Sequence, residues 1–223
     1  MAKLHHFALD PFSRRVRLAL AEKGETVDLI DEKPWAPSER LVDLNPTGLT
    51  PIYIEESGRS IAGVEALGEF LEEKYPAKCL LPGKTYERAE VRRLVAWFDV
   101  KFYAEVTEPL LSEKVAKRFA KAVAPPDMTR VRGALQRLRP HLDYLAWLAE
   151  ERAWLAGPEL SLADLAAAAH LSVLDYLGDV NWADHPVAKA WYQRIKSRPS
   201  FRTLLSDIIP AMPPSGHYAD LDF

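Results

Sequence analysis

Cysteine is nearly absent from this chain, which has Cys79 alone among its 223 residues. A single thiol excludes a disulfide within the chain and a cysteine-rich metal site, and it agrees with a reducing compartment. Because Leu80 and Leu81 follow Cys79, we expect this residue to be buried and apolar rather than a nucleophile.

Long apolar runs are also missing. No stretch reaches the length that spans a bilayer, and the first six residues lack the apolar core of a secretory signal. There is no glycine-rich phosphate loop, zinc-ligand pattern or nucleophile elbow, and His5 and His6 point to opposite faces of a predicted strand. Tryptophans and arginines are scattered rather than grouped as a nucleic-acid surface. We therefore predict a cytoplasmic protein without membrane insertion, bound metal or nucleic-acid partner.

The small net charge of −3 hides an uneven distribution of charge. Residues 1–76 contain nine lysines and arginines against 14 acidic residues, whereas residues 84–141 contain 13 against seven. The second stretch suits an acidic partner. The solvated faces of long helices are the simpler explanation for most of these charges.

The first third of the sequence alternates between strand and helix patterns. Short apolar segments at residues 4–9, 26–31, 49–54 and 60–62 predict four strands. A helical repeat after the first strand ends at Gly24, and a second helix covers residues 64–74. The order βαβ, hairpin and helix is typical of a thioredoxin-like domain, which we place at residues 1–78.

Long helical patterns follow. Two apolar stripes have helical spacing: Val91, Leu94, Val95, Phe98, Phe102 and Val106 in one, and Val131, Leu135, Leu138, Leu142, Leu145 and Leu148 in the other. They predict an all-helical domain over residues 84–209. The prolines and the glycine of residues 210–223 cannot continue a helix and predict an extended tail. The expected fold class is an α/β domain followed by an all-α domain.

Three motifs in chain order resemble the glutathione S-transferase family. Pro51 lies near the start of the third predicted strand, where that family has a cis proline. Ser161 and Asp164 have the spacing of a capping box that opens an alanine-rich helix. Residues 185–201 are similar to the closing helix and turn of the family. The resemblance covers nearly the whole chain and implies the two-domain transferase fold, a homodimer and a glutathione site beside Pro51.

The catalytic position of that family falls on Asp10. In the family, the residue at this position, at the start of the first helix, carries a hydroxyl or thiol. That group lowers the pKa of the glutathione thiol or acts as a nucleophile. An ionised carboxylate only accepts hydrogen bonds and repels a thiolate. Asp10 therefore predicts a helix cap and no catalysis. If the alignment is shifted, Ser13 is the fallback catalytic hydroxyl.

The residues that hold glutathione in the family are also replaced. Gly63 and Val64 stand where an acidic residue and a serine bind the γ-glutamyl group, and Leu49 stands where a lysine is common. Thr50, before Pro51, keeps its backbone N–H and C=O. Since a hydrogen bond to a charged group contributes about 1.5–3 kcal/mol, losing two or three weakens binding on the order of a hundredfold or more. We predict no cofactor and little or no glutathione binding.

Two segments are candidate partner surfaces. The loop at residues 32–38 places Trp35 between two prolines, and loop tryptophans are frequent interface anchors. The end of the chain combines aromatic, apolar and acidic residues: Tyr218, Asp220, Leu221, Asp222 and Phe223. As alternatives, Trp35 covers the neighbouring cleft or a partner subunit, and the terminal peptide frays or folds back.

The terminal peptide and the altered glutathione residues are similar to the glutathione S-transferase-like division proteins of alphaproteobacteria. The resemblance implies a non-catalytic dimer that binds filaments of the tubulin-like protein FtsZ at the division site and promotes constriction, with the tail open to other division proteins. Trp35, Asp220, Asp222 and part of the basic stretch are the expected filament contacts. The alternative is a glutathione-dependent transferase or isomerase that uses Ser13 and the backbone of Thr50.

Overall fold

The computed structural model describes residues 1–120 and 124–223. Its first part contains a four-stranded sheet and three helices: β1 (Lys3–His6), α1 (Pro11–Lys23), β2 (Asp28–Asp31), α2 (Glu39–Leu44), β3 (Ile52–Ile54), β4 (Ser60–Ala62) and α3 (Val64–Lys74). The strand order is β2-β1-β3-β4. β1 pairs parallel with β2, and both other pairs are antiparallel. This arrangement confirms the predicted βαβ unit, hairpin and helix.

The strand ends differ from the prediction. β1 stops at His6 because the backbone N–H of Asp10 bonds to the carbonyl of Phe7 at 2.9 Å, which forms a turn before α1. The short helix α2 was not predicted; Ser38 caps it by accepting the N–H of Leu41 at 3.1 Å. The Thr50–Pro51 peptide bond is cis, as predicted. The helix α1 ends at Gly24 in the left-handed conformation, with φ 79°.

The second part is helical. Consecutive helical segments run from residue 85 to 119: α4 (Thr85–Ala96), a π-helical stretch (Trp97–Thr107), α5 (Glu108–Leu111), a π-helical turn (Ser112–Ala116) and α6 (Lys117–Phe119). They are followed by α7 (Met128–Glu151), α8 (Leu162–Leu177), α9 (Pro186–Lys196) and α10 (Arg202–Leu205). Short 3₁₀ turns occupy Pro76–Lys78, Trp182–Asp184 and Pro199–Phe201. The α/β plus all-α fold class is therefore confirmed.

Helix α8 is the centre of the core. Every residue of α8 up to Tyr176 is buried, and the helix packs directly on α1. The predicted capping box is present: Asp164 accepts the backbone N–H of Ser161 at 3.0 Å, and the Ser161 side chain receives the N–H of the third helical residue. Both apolar stripes face inward, with Leu135 alone half-buried. Among the described helices, none has the length and apolarity that a membrane crossing requires.

The prediction that Cys79 is buried is wrong. It lies exposed just after the 3₁₀ turn Pro76–Lys78, although its neighbours Leu80 and Leu81 are buried. Partial burial of the thiol itself raises the pKa of Cys79. The thiol is thus accessible but mostly protonated near neutral pH, which makes it a weak nucleophile.

The end of the chain does not extend away from the body, contrary to the prediction for residues 210–223. Tyr218 is completely buried. Its hydroxyl donates to the carbonyl of Leu204 at 3.0 Å and accepts from Arg14 at 3.0 Å. Ser215 donates its backbone N–H to the carbonyl of Tyr176 at 2.9 Å. These contacts fasten the terminal segment across α1 and α8.

Candidate functional site

Asp10 caps α1 and faces the region where a transferase would hold its thiol. Its carboxylate accepts the backbone N–H groups of Phe12 at 3.2 Å and Ser13 at 3.0 Å. It also accepts the hydroxyls of Ser13 at 2.5 Å and Thr50 at 2.9 Å. Burial raises the pKa of Asp10, and these four donors oppose that shift. The carboxyl group is thus engaged in local structure.

The fallback assignment of Ser13 as a catalytic hydroxyl is wrong. Ser13 is completely buried in α1, and its hydroxyl proton is used in the bond to Asp10. It lines neither of the two cavities described below. A hydroxyl in this position cannot reach a thiol in the cleft.

The residues that the family resemblance assigns to a glutathione site lie together in one pocket of about 360 Å³. Leu49, Thr50, Pro51, Gly63 and Val64 all line it, as the resemblance implies. No charged residue of the described chain is among the lining residues. Gly63 precedes α3 with φ 92° and offers no side-chain cap. The pocket therefore has no group to pair with either end of a γ-glutamyl zwitterion.

Thr50 retains one element of peptide recognition. Its side chain is turned toward Asp10, but within the described residues its backbone N–H and C=O make no hydrogen bond. An extended ligand could pair with these two groups whatever the side chain at this position.

A buried arginine that the sequence analysis missed lies below this pocket. Arg15 donates to the carbonyl of Val64 at 3.0 Å and to the carboxylate of Glu65 at 3.2 Å. It also pairs with the buried Asp99 on the helical side of the molecule, which lowers the pKa of Asp99 against the effect of burial. The available signal was the cluster of Arg14, Arg15 and Arg17 inside an otherwise apolar helical pattern.

A second cavity, of about 280 Å³, lies between the loop after β2 and the 103–116 segment of the long helix. Its walls are mainly aromatic and aliphatic, and three carboxylates reach it: Asp10, Glu32 and Glu108. Tyr103 stands on the helical side, where burial and the nearby Asp10 raise its pKa to about 12. We refer to this space as the aromatic cavity.

Trp35 forms the outer wall of the aromatic cavity. Its ring is half-buried, with its edge-to-face contact to Phe7 at 5.4 Å and a stacked contact to Phe119 at 5.1 Å between ring centroids. The indole thus bridges the sheet side and the helical side of the cleft. This geometry is the one expected of a residue that covers the cleft.

The terminal peptide is divided between buried and exposed residues. The prediction that Tyr218 contacts a partner is wrong, because no part of it is accessible. Phe223 packs on Lys196, with the ammonium 4.0 Å from the ring centroid, and on Trp182. Between these two anchors Asp220, Leu221 and Asp222 are exposed. Within the predicted set these three residues are the most accessible, while Phe223 is half-buried.

The remaining polar candidates serve the fold. His5 bonds to Glu32 at 2.7 Å, and His6 lies 3.1 Å from Asp31. In the described part of the chain no group of three or more potential ligands is placed to hold a metal ion. Many cations of the basic stretch are paired with carboxylates: Arg92 with Glu69, Arg93 with Glu90, Lys101 with Glu105, Lys114 with Asp179, and Arg130 with Glu108 and Glu113. The excess positive charge is therefore dispersed.

Comparison with known proteins agrees with this fold. Residues 11–74 match the family model for the N-terminal domain of glutathione S-transferases, and residues 109–199 match the model for their C-terminal domain. A solved structure of a glutathione S-transferase from Rhodospirillum rubrum F11 is 49% identical, with a TM-score of 0.97 and complete coverage of both chains.

Two further matches are not named as glutathione S-transferases. FtsZ-localized protein A from Caulobacter vibrioides is 47% identical over 99% of this chain and 97% of its own length. The solved structure of FzlA from C. crescentus is 46% identical, with a TM-score of 0.96, and the match covers 100% of this chain and 99% of that one.

Proposed function

This chain belongs to the glutathione S-transferase family, and from that premise we propose that it is a non-catalytic member that binds FtsZ filaments. Binding places it at the division site, where it promotes constriction. Two observations together support the loss of catalysis. The family's catalytic position is occupied by Asp10, whose carboxylate already accepts four hydrogen bonds. The pocket beside Pro51 has no charged lining residue.

The loss of transferase chemistry is supported by electrostatics. Asp10 offers acceptors where a thiolate needs donors, so any ionised thiol placed there meets repulsion. Glutathione also needs partners for two carboxylates and one ammonium. The pocket beside Pro51 offers only neutral side chains and the backbone of Thr50. We therefore propose that the protein uses no glutathione cofactor.

The FtsZ partner is supported by the relative named FtsZ-localized protein A. The alignment, at 47% overall identity, extends over 99% of this chain and so is not confined to the core. Function resides in such surfaces rather than in the fold. We propose that the filament contact combines Trp35 with the exposed terminal residues Asp220, Leu221 and Asp222, and that other division proteins use the same terminal residues.

We also propose that the protein is a homodimer. Three large side chains on the helical side are unusually accessible: Tyr86 at 88%, Val100 at 67% and Trp147 at 52%. Trp147 stacks on Tyr144, which contacts Trp97 on the long helix. Exposed aromatic and aliphatic groups of this kind are typical of interfaces. Light scattering on the purified protein, with Val100→Asp as the disrupted variant, measures the oligomeric state.

Co-sedimentation with polymerised FtsZ tests the main proposal. We expect the wild-type protein to pellet with polymer and Trp35→Ala to pellet about tenfold less, as for loss of an interface anchor. Leu29→Ala, which removes a half-exposed apolar residue from the edge strand β2, is the matched control and should bind as wild type. Absence of pelleting by the wild-type protein would overturn the proposal.

The unpaired backbone of Thr50 favours one alternative, a transferase or isomerase with an atypical site. Titration calorimetry with glutathione at millimolar concentration separates the two. We expect no saturable heat. A saturable signal that disappears with Thr50→Pro, which removes the N–H, would favour the enzyme.

A further inference from the structure

The aromatic cavity has a wall composition that neither a glutathione site nor an ordinary apolar pocket requires. Four aromatic rings line it: Phe7, Phe12, Trp35 and Tyr103. Phe12 and Tyr103 lie against each other, with ring centroids 4.8 Å apart, and Phe7 contacts Trp35 at 5.4 Å. The rings therefore surround the space from both halves of the cleft.

The charges that reach the aromatic cavity have one sign. Asp10, Glu32 and Glu108 line it, and in the described chain none of its lining residues is a lysine, arginine or histidine. Two of these carboxylates have cationic or imidazole partners that do not line the cavity. Arg130 pairs with Glu108, and His5 bonds to Glu32 at 2.7 Å. The Ser38 hydroxyl is 3.5 Å from the second Glu32 oxygen, which leaves that oxygen weakly bonded.

We propose that the aromatic cavity is a binding site for an organic cation, an ammonium or guanidinium group carried on an apolar stem. Aromatic faces attract such cations through the negative charge of the π-system, most strongly for tryptophan. The carboxylates add attraction at the ends of the cavity, and the aliphatic wall of Leu41, Leu111 and Val115 accommodates the stem. The same charges repel an anion such as glutathione.

The size of the aromatic cavity suits a small occupant. Its volume of about 280 Å³ lies just below the range of roughly 300–1,000 Å³ that holds a drug-sized ligand. One long side chain fits better. Resting on the proposed function, we assign the occupant as an arginine or lysine side chain of an FtsZ subunit, which enters beside Trp35.

A pair of isosteric probes tests the cation preference directly. Hexylguanidinium and hexylurea have the same stem and nearly the same head shape, but only the first is charged. We expect hexylguanidinium to shift the NMR signals of Trp35 and to bind at least about fivefold more tightly than hexylurea, the size of a cation–π contribution at a partly exposed site. Equal affinity for the two probes, or shifts confined to residues outside the cavity, would overturn the proposal.

Variants that neutralise a single carboxylate test which residues attract the cationic probe. Glu32→Gln and Glu108→Gln keep side-chain size and should each reduce the preference for hexylguanidinium over hexylurea by about threefold or more. The control is Glu150→Gln on the exposed face of α7, which changes the net charge equally and should leave the preference unchanged. An equal loss in all three variants would show general charge attraction and contradict a site. The comparison of the two probes on the wild-type protein needs no variant. The cation preference therefore remains testable even if a variant fails to fold.

Competition separates this inference from the proposed function. If hexylguanidinium, but not hexylurea, releases the wild-type protein from FtsZ polymer, both are supported. If the protein co-sediments with FtsZ and saturating hexylguanidinium does not release it, the assigned occupant is wrong while the filament-binding proposal stands. If the protein never pellets with FtsZ, the proposed function fails, and the cation site is then judged by the two probes alone.

Discussion

At the scale of single residues, burial and hydrogen bonding show which of the roles suggested by the sequence a side chain can perform. Asp10 was predicted to be a helix cap, and its bonds to Phe12 and Ser13 show that role. Capping depends on residues two and three positions away, so the sequence carries the information. Ser13 was misassigned because the direction of its side chain depends on the packing of α1 in three dimensions.

Gly63 gives a residue-scale prediction. Its φ of 92° disfavours any residue with a Cβ, although an added methyl group meets no atom within 4 Å. We expect Gly63→Ala to lower the free energy of unfolding by about 1–2 kcal/mol. Gly133→Ala is the control, since this glycine lies inside α7, where alanine should stabilise by about 0.5–1 kcal/mol. Urea unfolding measures both, and the same sign for both would contradict the argument.

His6 gives a prediction about pH. Burial, with a contribution from Arg17, lowers the pKa of its imidazole from 6.5 to about 4. Between these values the unfolded chain binds a proton that the folded protein does not, so the free energy of unfolding falls as the pH drops from about 6.5 to about 4. The expected loss is about 3 kcal/mol. His6→Gln removes this titration.

Urea unfolding at pH 7.5 and 4.5 compares the two proteins. The midpoint of the wild type should fall further than that of His6→Gln. An equal fall would mean that other groups govern the acid response of stability.

At the scale of elements, long regular patterns were read correctly and short irregular segments were not. Helix α3 and the stripes of α4 and α7 have enough repeats for the apolar period to appear, and α3 has the predicted limits. The six-residue helix α2 is too short to show a period. The terminal segment was predicted to extend because its prolines and glycine exclude a helix. Its folded-back path depends on contacts such as those of Tyr218, whose partners are distant in sequence.

The anchoring of the terminal segment gives an element-scale prediction. Tyr218→Phe keeps the ring but removes the hydroxyl that joins Arg14 and Leu204. Because these groups are buried, we expect a loss of about 1–3 kcal/mol in the free energy of unfolding. Tyr86→Phe, at a side chain that is 88% exposed, should change it by less than about 0.5 kcal/mol. Equal effects of the two substitutions would refute the anchor.

At the scale of the whole molecule, α1 joins the sheet to the helical part through three arginines. Arg14 donates to Ser172 in α8 at 2.8 Å, Arg15 pairs with Asp99, and Arg17 bonds to both oxygens of Asp207 at 2.9 Å. The sequence predicted both parts of the fold, because each has its own apolar pattern. It did not predict this junction, because its partners are far apart in the sequence and form no local pattern. Arg14 and Tyr218, for example, are 204 positions apart.

The arginine junction gives a prediction for unfolding as a whole. Calorimetry should show one cooperative transition, because α1 packs on α8 and neither part can open without exposing this buried surface. Arg15→Met leaves the buried Asp99 without its cation and should cost about 3–5 kcal/mol. Arg92→Met breaks an exposed pair with Glu69 and should cost no more than about 1 kcal/mol. Two separate transitions in the wild-type protein, or equal costs for the two variants, would contradict this view.

The accessible thiol of Cys79 has a practical consequence. As the one cysteine of the chain, it can accept a maleimide fluorophore at a defined place without mutagenesis. Its raised pKa calls for mildly alkaline coupling, since the thiolate is the reacting species. Single-molecule or anisotropy measurements of filament binding can then use this dye and leave Trp35 unmodified.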